Sequence, residues 1–297
     1  MAKPFIAVDW GTTSFRAYRV DADGVVQNEI SAPEGILAVK DGKFEEALES
    51  RIGAWDKALP ILASGMITSR QGWIERPYLD CPASAGDLAR NLHRHVTATG
   101  RTIHFATGLH YASPTLGHDV MRSEETQVFG ALDSGANHFI TPGTHSKWID
   151  VDGNRITRFS TYITGELFAL LKSHSILGRL MEGETHNATT FTKGVEKSLV
   201  EPAGLSHTLF SARSLALYNE IAAPNIASYL SGLVIGAEVA HALMARAATA
   251  DYVVLASPKI GGAYVQALDV AGVKARYGDP LSIIKGLRAV GLAAGLI

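Results

Sequence analysis

The 297-residue chain of 31.7 kDa balances 27 Lys+Arg against 29 Asp+Glu, a net charge of −2, with 46% hydrophobic and 19% charged residues. That apolar content rules out disorder as the main state, and the near-zero charge leaves no global field to steer the chain to nucleic acid or an anionic membrane. A single cysteine, Cys81, excludes an internal disulfide and any multi-cysteine metal cluster.

The first thirty residues read as strand, turn, strand, turn, strand. Pro4 to Val8 is a buried run, Ser14 to Val20 alternates, and Asp21-Ala22-Asp23-Gly24 has hairpin chemistry before Val25-Val26. No long apolar stretch precedes them, so no signal peptide and a cytoplasmic location are expected. A helix is predicted over about Lys43 to Lys57, with Phe44, Ala47, Leu48, Ile52 and Trp55 roughly on one face, then a strand at Leu59 to Ala63. A long polar and aromatic loop follows, then a helix over about Gly86 to Val96, a strand at Thr102 to Ala106 and a helix from Arg122 towards Ser134. On the second of these helices His93-x-His95 would point its rings apart, a surface pair rather than a metal site.

After residue 133 the order begins again: strands at His138 to Ile140, Ser146 to Val151 and Arg155 to Thr161, then a helix at Gly165 to Lys172. Asp9-Trp10-Gly11-Thr12-Thr13-Ser14 matches Thr141-Pro142-Gly143-Thr144-His145-Ser146 at Gly, Thr and Ser, each time between the first two strands of its half. Such a repeat implies two topologically similar α/β domains, 1–133 and 134–297. The second carries a helical insertion, about 173–247, ahead of the strand Tyr252 to Ala256. Within it, Gly232-x-x-x-Gly236 reads as close helix packing in a core. The apolar tail from Ala289 is too short to span a bilayer, so no membrane partner is expected.

Absent motifs narrow the chemistry. No Gly-x-Gly occurs, which removes the dinucleotide fingerprint, and no Gly-x-x-x-x-Gly-Lys-Ser/Thr occurs, which removes P-loop nucleotidases. Neither His-Glu-x-x-His nor Gly-x-Ser-x-Gly is present. What remains is Asp9 ending a strand before Gly11, Thr12, Thr13 and Ser14, with Arg16 beyond. The turn offers N–H and O–H donors to phosphate oxygens, and Asp9 can hold Mg²⁺ through water. An ordinary hairpin satisfying its own turn is the bland alternative. The second copy, Gly143 to Lys147, favours a pair of turns clamping one polyphosphate.

With these hairpins the sequence resembles the sugar kinase/Hsp70/actin superfamily, which implies two ribonuclease-H-like domains around a cleft. Ser64-Gly65-Met66-Ile67-Thr68-Ser69-Arg70-Gln71-Gly72-Trp73, Met121-Arg122-Ser123-Glu124-Glu125-Thr126-Gln127, Thr141 to Trp148 and Thr164-Gly165-Glu166-Leu167 look like the 2-dehydro-3-deoxygalactonokinase family. That resemblance implies a cytoplasmic carbohydrate kinase, an ATP-binding transferase of galactonate catabolism. It would move the γ-phosphate of ATP to the 6-hydroxyl of 2-dehydro-3-deoxy-D-galactonate with Mg²⁺, its domains closing to exclude water. A homodimer is compatible with the sequence but not specified by it.

Roles follow on that basis. Glu124 is favoured as base by analogy with the Glu-Glu pair that opens the corresponding helix of exopolyphosphatases; Glu125 then complements the helix dipole, and an Asp base stays an alternative. Lys147 and His145 are candidate phosphate partners, together with Gly143, Thr144 and Ser146. Arg70 or Arg122 would meet the substrate carboxylate, beside Trp73 and Glu75. In Val253 to Tyr264, Gly261 and Gly262 occupy the place of the adenosine motif, with Ala256-Ser257 where a glycine is usual. Two alternatives stay open: an exopolyphosphatase-like phosphohydrolase, and a non-catalytic sugar-acid sensor on the same fold.

Overall fold

Alternating apolar residues on a strand buried on both faces build the first sheet. The computed structural model describes residues 2–114, 116–183, 185–201, 204–246 and 250–297. Strand β1 (Phe5–Trp10) sends Ile6, Val8 and Trp10 into one core and Phe5 and Ala7 into another. It pairs antiparallel with β2 (Phe15–Val20), and β2 with β3 (Val26–Ala32). On its other edge it runs parallel to β4 (Ile61–Ser64), which follows helix α1 (Phe44–Ile52). Leu48 and Ile52 of α1 cover the Ile6 face.

Beyond Ser64 the expected long loop is partly ordered. It holds the two-residue strands β5 (Leu79–Asp80) and β6 (Ala83–Ser84), then α2 (Ala85–Arg90), whose Ser84 and Asp87 form a capping box. The predicted helix over 86–96 is therefore half right. Its second half is the edge strand β7 (His93–Val96), antiparallel to β8 (Thr102–Phe105), and β8 runs parallel to β4. The period-two alternation of His93, Arg94, His95 and Val96 won over helix continuation. As a result His93 and His95 share a face, and His95 packs against Trp73 and Phe105. Strands β9 (Leu109–Tyr111) and β10 (Asp119–Met121) join β5 in a small sheet. The helix expected towards Ser134 is shorter: α3 is Glu124–Phe129.

The second half repeats the opening with β11 (His138–Thr141), β12 (Ser146–Asp152) and β13 (Arg155–Tyr162), then α4 (Thr164–His174). The insertion supplies α5 (Ala188–Val200), α6 (Leu205–Thr208), α7 (Ser211–Leu217) and α8 (Ile226–Met244); its expected end at residue 247 lies outside the described residues. Gly232 and Gly236 do bring α8 against α5: a side chain at Gly232 would collide with the Phe191 carbonyl, and one at Gly236 would sit 2.8 Å from Val195 Cα. The segment Ala223–Met244 is long and apolar enough to cross a membrane, yet 72% of its most apolar window is buried, as in a core helix. Strand β14 (Tyr252–Val254), α9 (Pro258–Val270), β15 (Ala275–Tyr277) and α10 (Ser282–Ala293) finish the chain, with β14 parallel to both β11 and β15.

The molecule divides into two compact units, the first running to Gly135 with Asp150–Phe159 and Asp279–Ile297, the second comprising Ala136–Ile149 and Ser160–Gly278. The expected domains were contiguous, 1–133 and 134–297, whereas the first unit here also takes in two later segments. Helix α10 explains one of them, since Ile283, Ile284 and Leu287 cover Phe5, Ala7 and Leu62 on the second face of the first sheet.

Candidate active site

In the first unit the β1–β2 turn runs from Gly11 to Ser14, closed by the Gly11 N–H donating to the Ser14 carbonyl at 2.9 Å. Its back is held by 35–37: Ile36 and Leu37 N–H groups donate to the carbonyls of Gly11 and Thr12, and a side chain at Gly35 would collide with the Thr12 carbonyl. Thr13 and Arg16 are exposed, Thr12 and Ser14 partly so. Asp9 stands opposite Arg16 in the β1–β2 register and beside Ser64 in the β1–β4 register. Burial and then Glu124 push its pKa up, against Ser123 and Arg16, and the net direction is upward. A half-buried carboxylate with a second carboxylate nearby is electrostatically suited to a divalent cation. No group of three His, Cys, Asp or Glu side chains converges among the described residues. One carboxylate with waters and phosphate oxygens is a donor set that Mg²⁺ accepts.

Helix α3 brings its carboxylates to Asp9 through an unusual residue. Ser123, at φ 101°, is a non-glycine residue in the left-handed region. Its N–H donates to both oxygens of Glu125, at 3.0 and 2.9 Å, and its hydroxyl donates to Asp9 Oδ1 at 3.0 Å. Glu124 accepts the Arg122 N–H at 2.9 Å. Glu125, expected as a simple dipole complement, is fully buried and clamps Ser123 in this conformation.

Burial, with Glu124 second, raises Glu125 from its usual 4.5 to about 8. The folded protein then holds a proton that the unfolded chain releases between those two values, so stability falls as pH rises across that window. We expect Glu125→Gln to abolish this decline. In urea unfolding at pH 5 and pH 8, wild type should lose more than the variant, by at most about 4 kcal/mol. Parallel pH profiles would show that Glu125 keeps its proton equally in both states.

The loop after β4 divides its expected ligands. Arg70 and Glu75 are exposed. Trp73 stacks on Phe44 at 6.0 Å and meets Phe105 edge-on at 5.6 Å, so its ring anchors the loop in the core. Arg122 is 8% exposed; its Nη1 donates to the Thr68 carbonyl and hydroxyl at 2.7 and 2.6 Å, and its Nη2 to the Arg76 carbonyl at 3.2 Å. Both terminal nitrogens are thereby engaged in holding the loop.

In the second unit the β11–β12 turn is backed in the same manner. A side chain at Gly165 would strike the Gly143 carbonyl, the Glu166 N–H donates to the Thr144 carbonyl at 3.0 Å, and His145 Nε2 lies 2.6 Å from Glu166 Oε2. Thr141, in the place Asp9 occupies in the first hairpin, buries its hydroxyl without a partner among the described residues. Gly143, Thr144 and Gly262 line one cavity of about 1070 Å³ with His186, Ser231 and Tyr264, large enough for a nucleotide. Gly261 is buried in the first turns of α9, and His145, Ser146 and Lys147 are not among the lining residues. Ser146 and Lys147 are buried on β12, and the Ser146 hydroxyl donates to Glu238 Oε1 at 2.7 Å.

The sequence and fold are similar to those of known proteins. The model of the 2-keto-3-deoxy-galactonokinase family matches residues 9–290. The chain belongs to this family. The Escherichia coli 2-dehydro-3-deoxygalactonokinase is 33% identical over 98% of both chains. A crystal structure of a protein from Sinorhizobium meliloti given the same activity name is 34% identical, with TM-score 0.90 over 97% of this chain and 98% of that one. Ligand-bound xylulose kinase from Lactobacillus acidophilus, at 10% identity, shares the fold, with TM-score 0.54 over 99% of this chain and 90% of that one. The fold of this 2-keto-3-deoxy-galactonokinase family member is therefore the actin-like ATPase fold, as its hairpins implied.

Three features of the family member escaped the sequence reading. Ser123 had no signal, because a strained φ is invisible in sequence. Gly35 and Gly165 looked like ordinary loop and helix-start residues. Glu238, the single carboxylate in the apolar run Gly232 to Met244, did carry a signal, since an isolated acid in a core helix must find donors.

Proposed function

We propose that this protein phosphorylates 2-dehydro-3-deoxy-D-galactonate at its 6-hydroxyl with ATP. The observation that carries the reading is the family match over 9–290, joined by 33% identity to the Escherichia coli enzyme along nearly all of both chains. The cavity that unites the Gly143–Thr144 turn with α9 supports a nucleotide in the second unit.

Phosphoryl transfer asks the protein for positioning and charge neutralisation more than covalent chemistry. In the first unit the backbone N–H groups of Thr12 to Ser14, and in the second those of Gly143 to His145, are the donors offered to phosphate oxygens. Asp9 would hold Mg²⁺, which would supply neutralisation of phosphate charge. Glu124 accepts the proton of the 6-hydroxyl, while Ser123 keeps Asp9 oriented. Arg70 is the better partner for the substrate carboxylate, because Arg122 has its terminal nitrogens committed to the Thr68 and Arg76 backbone. Trp73 and Glu75 shape the loop that carries Arg70.

The direct test is ADP release on adding the sugar acid and ATP. No turnover above the rate without sugar acid would end the substrate claim, and phosphate release from polyphosphate would favour the hydrolase instead. For the base, Glu124→Gln is expected to lower kcat by at least about 100-fold. Retained activity would return Glu124 to a capping role at α3.

A further inference from the structure

Below the cavity of the second unit lies a carboxylate that no substrate role accounts for. Glu238 is 3% exposed, on the face of α8 that also presents the cavity residues Ser231, Val234 and Ile235 one and two turns earlier. Its Oε1 accepts the Ser146 hydroxyl and the Trp148 indole N–H, each at 2.7 Å. Its Oε2 accepts the Tyr264 hydroxyl at 2.7 Å, and the Thr164 hydroxyl is a further donor.

These four donors come from three elements, β12, α4 and α9. Ser146 and Trp148 open β12 directly after the phosphate turn. Thr164 is the first residue of α4, immediately before the Gly165 that backs that turn. Tyr264 stands on α9, two residues after Gly262 at the cavity wall. From this geometry we infer that Glu238 is a positioning residue for the nucleotide, fixing the phosphate turn, the start of α4 and the adenosine helix α9 at one spacing. This deepens the kinase reading and rests on it.

The physical basis is connectivity. A buried carboxylate has acceptor capacity for all four donors, whereas an apolar residue there would remove the one acceptor they share. Burial raises the pKa of Glu238 and the four hydrogen bonds pull it back, as expected of a carboxylate held by its donors. Loss of one link frees its element to shift relative to the others. A nucleotide spanning turn and helix registers that shift, while the sugar acid in the first unit does not.

Two variants separate positioning from packing. Glu238→Gln keeps one carbonyl oxygen for Ser146 and Trp148 but sets an amide N–H₂ towards Tyr264 and Thr164. Tyr264→Phe removes only the α9 link. Each is expected to weaken ADP binding, read by calorimetry, about tenfold, and to raise KM for ATP by a similar factor with KM for the sugar acid within twofold. The double variant should be no worse than the poorer single, since both break the same link. ADP affinity within twofold of wild type in both variants would overturn the inference even if Tm fell, leaving Glu238 a packing residue. An equal rise in both KM values would overturn it too. Wild type that binds no ADP would overturn the kinase reading itself, and this inference with it.

Discussion

Asp9→Asn is expected to lower kcat/KM by about 10²–10³-fold while leaving Tm unchanged or raising it. The activity term follows from removing the carboxylate proposed to hold a cation at the first turn, an electrostatic contribution of the size seen when a preorganised charge-stabilising group is lost. The stability term has the opposite sign for a physical reason. Burial and Glu124 raise the pKa of Asp9, so its ionised form is disfavoured in the folded protein, and a neutral amide relieves that cost. Asn also keeps an oxygen to accept the Ser123 hydroxyl, now 3.0 Å from Asp9 Oδ1. Gain of stability with loss of function is the signature of a residue retained for chemistry. Steady-state kinetics beside thermal unfolding reads both terms; near-wild-type turnover would make Asp9 a structural member of the hairpin.

Gly165→Val should reduce ADP affinity and raise KM for ATP by roughly 100-fold. The added side chain has no free volume, because the Gly143 carbonyl and Thr144 Cα already occupy its position. Backbone cannot rotate away as a side-chain tip can, so the phosphate turn or the start of α4 must move. A displacement near 1 Å at a positioning group is worth about that factor. Gly86→Ala serves as control, since its new carbon meets nothing nearer than 3.7 Å and lies in a short helix of the first unit. Titration calorimetry with ADP distinguishes the two; equal affinity in Gly165→Val would mean that the turn is held by other contacts.

Much of the architecture was legible because buried elements are apolar runs. Phe5 to Trp10 and its copy at His138 to Thr141 both announce central strands, and the Gly-Thr-x-Ser spacing locates both turns without any coordinates. The insertion and its Gly232–Gly236 contact were legible for the same reason, a long apolar helix needing a close neighbour. Misreadings fell where local signals compete. His93 to Val96 followed a helix with no breaker between, and only pairing with β8 made it a strand. The two-residue strands β5 and β6 have no periodicity to detect.

At the candidate site, residue types and their order were determined by the sequence alone: Asp9 before a donor-rich turn, a Glu-Glu pair opening α3, and glycines at the head of α9. Which member does what depended on burial and pairing, which are properties of the folded chain. Tertiary structure set Trp73 into a ring stack, committed Arg122 to backbone carbonyls, turned the Ser146 hydroxyl to Glu238, and buried Glu125 beneath Ser123. The reason is one of range. Composition and spacing report contacts within a few residues, whereas the donors that decide these roles lie far along the chain, 114 positions apart for Ser123 and Asp9 and 92 for Ser146 and Glu238.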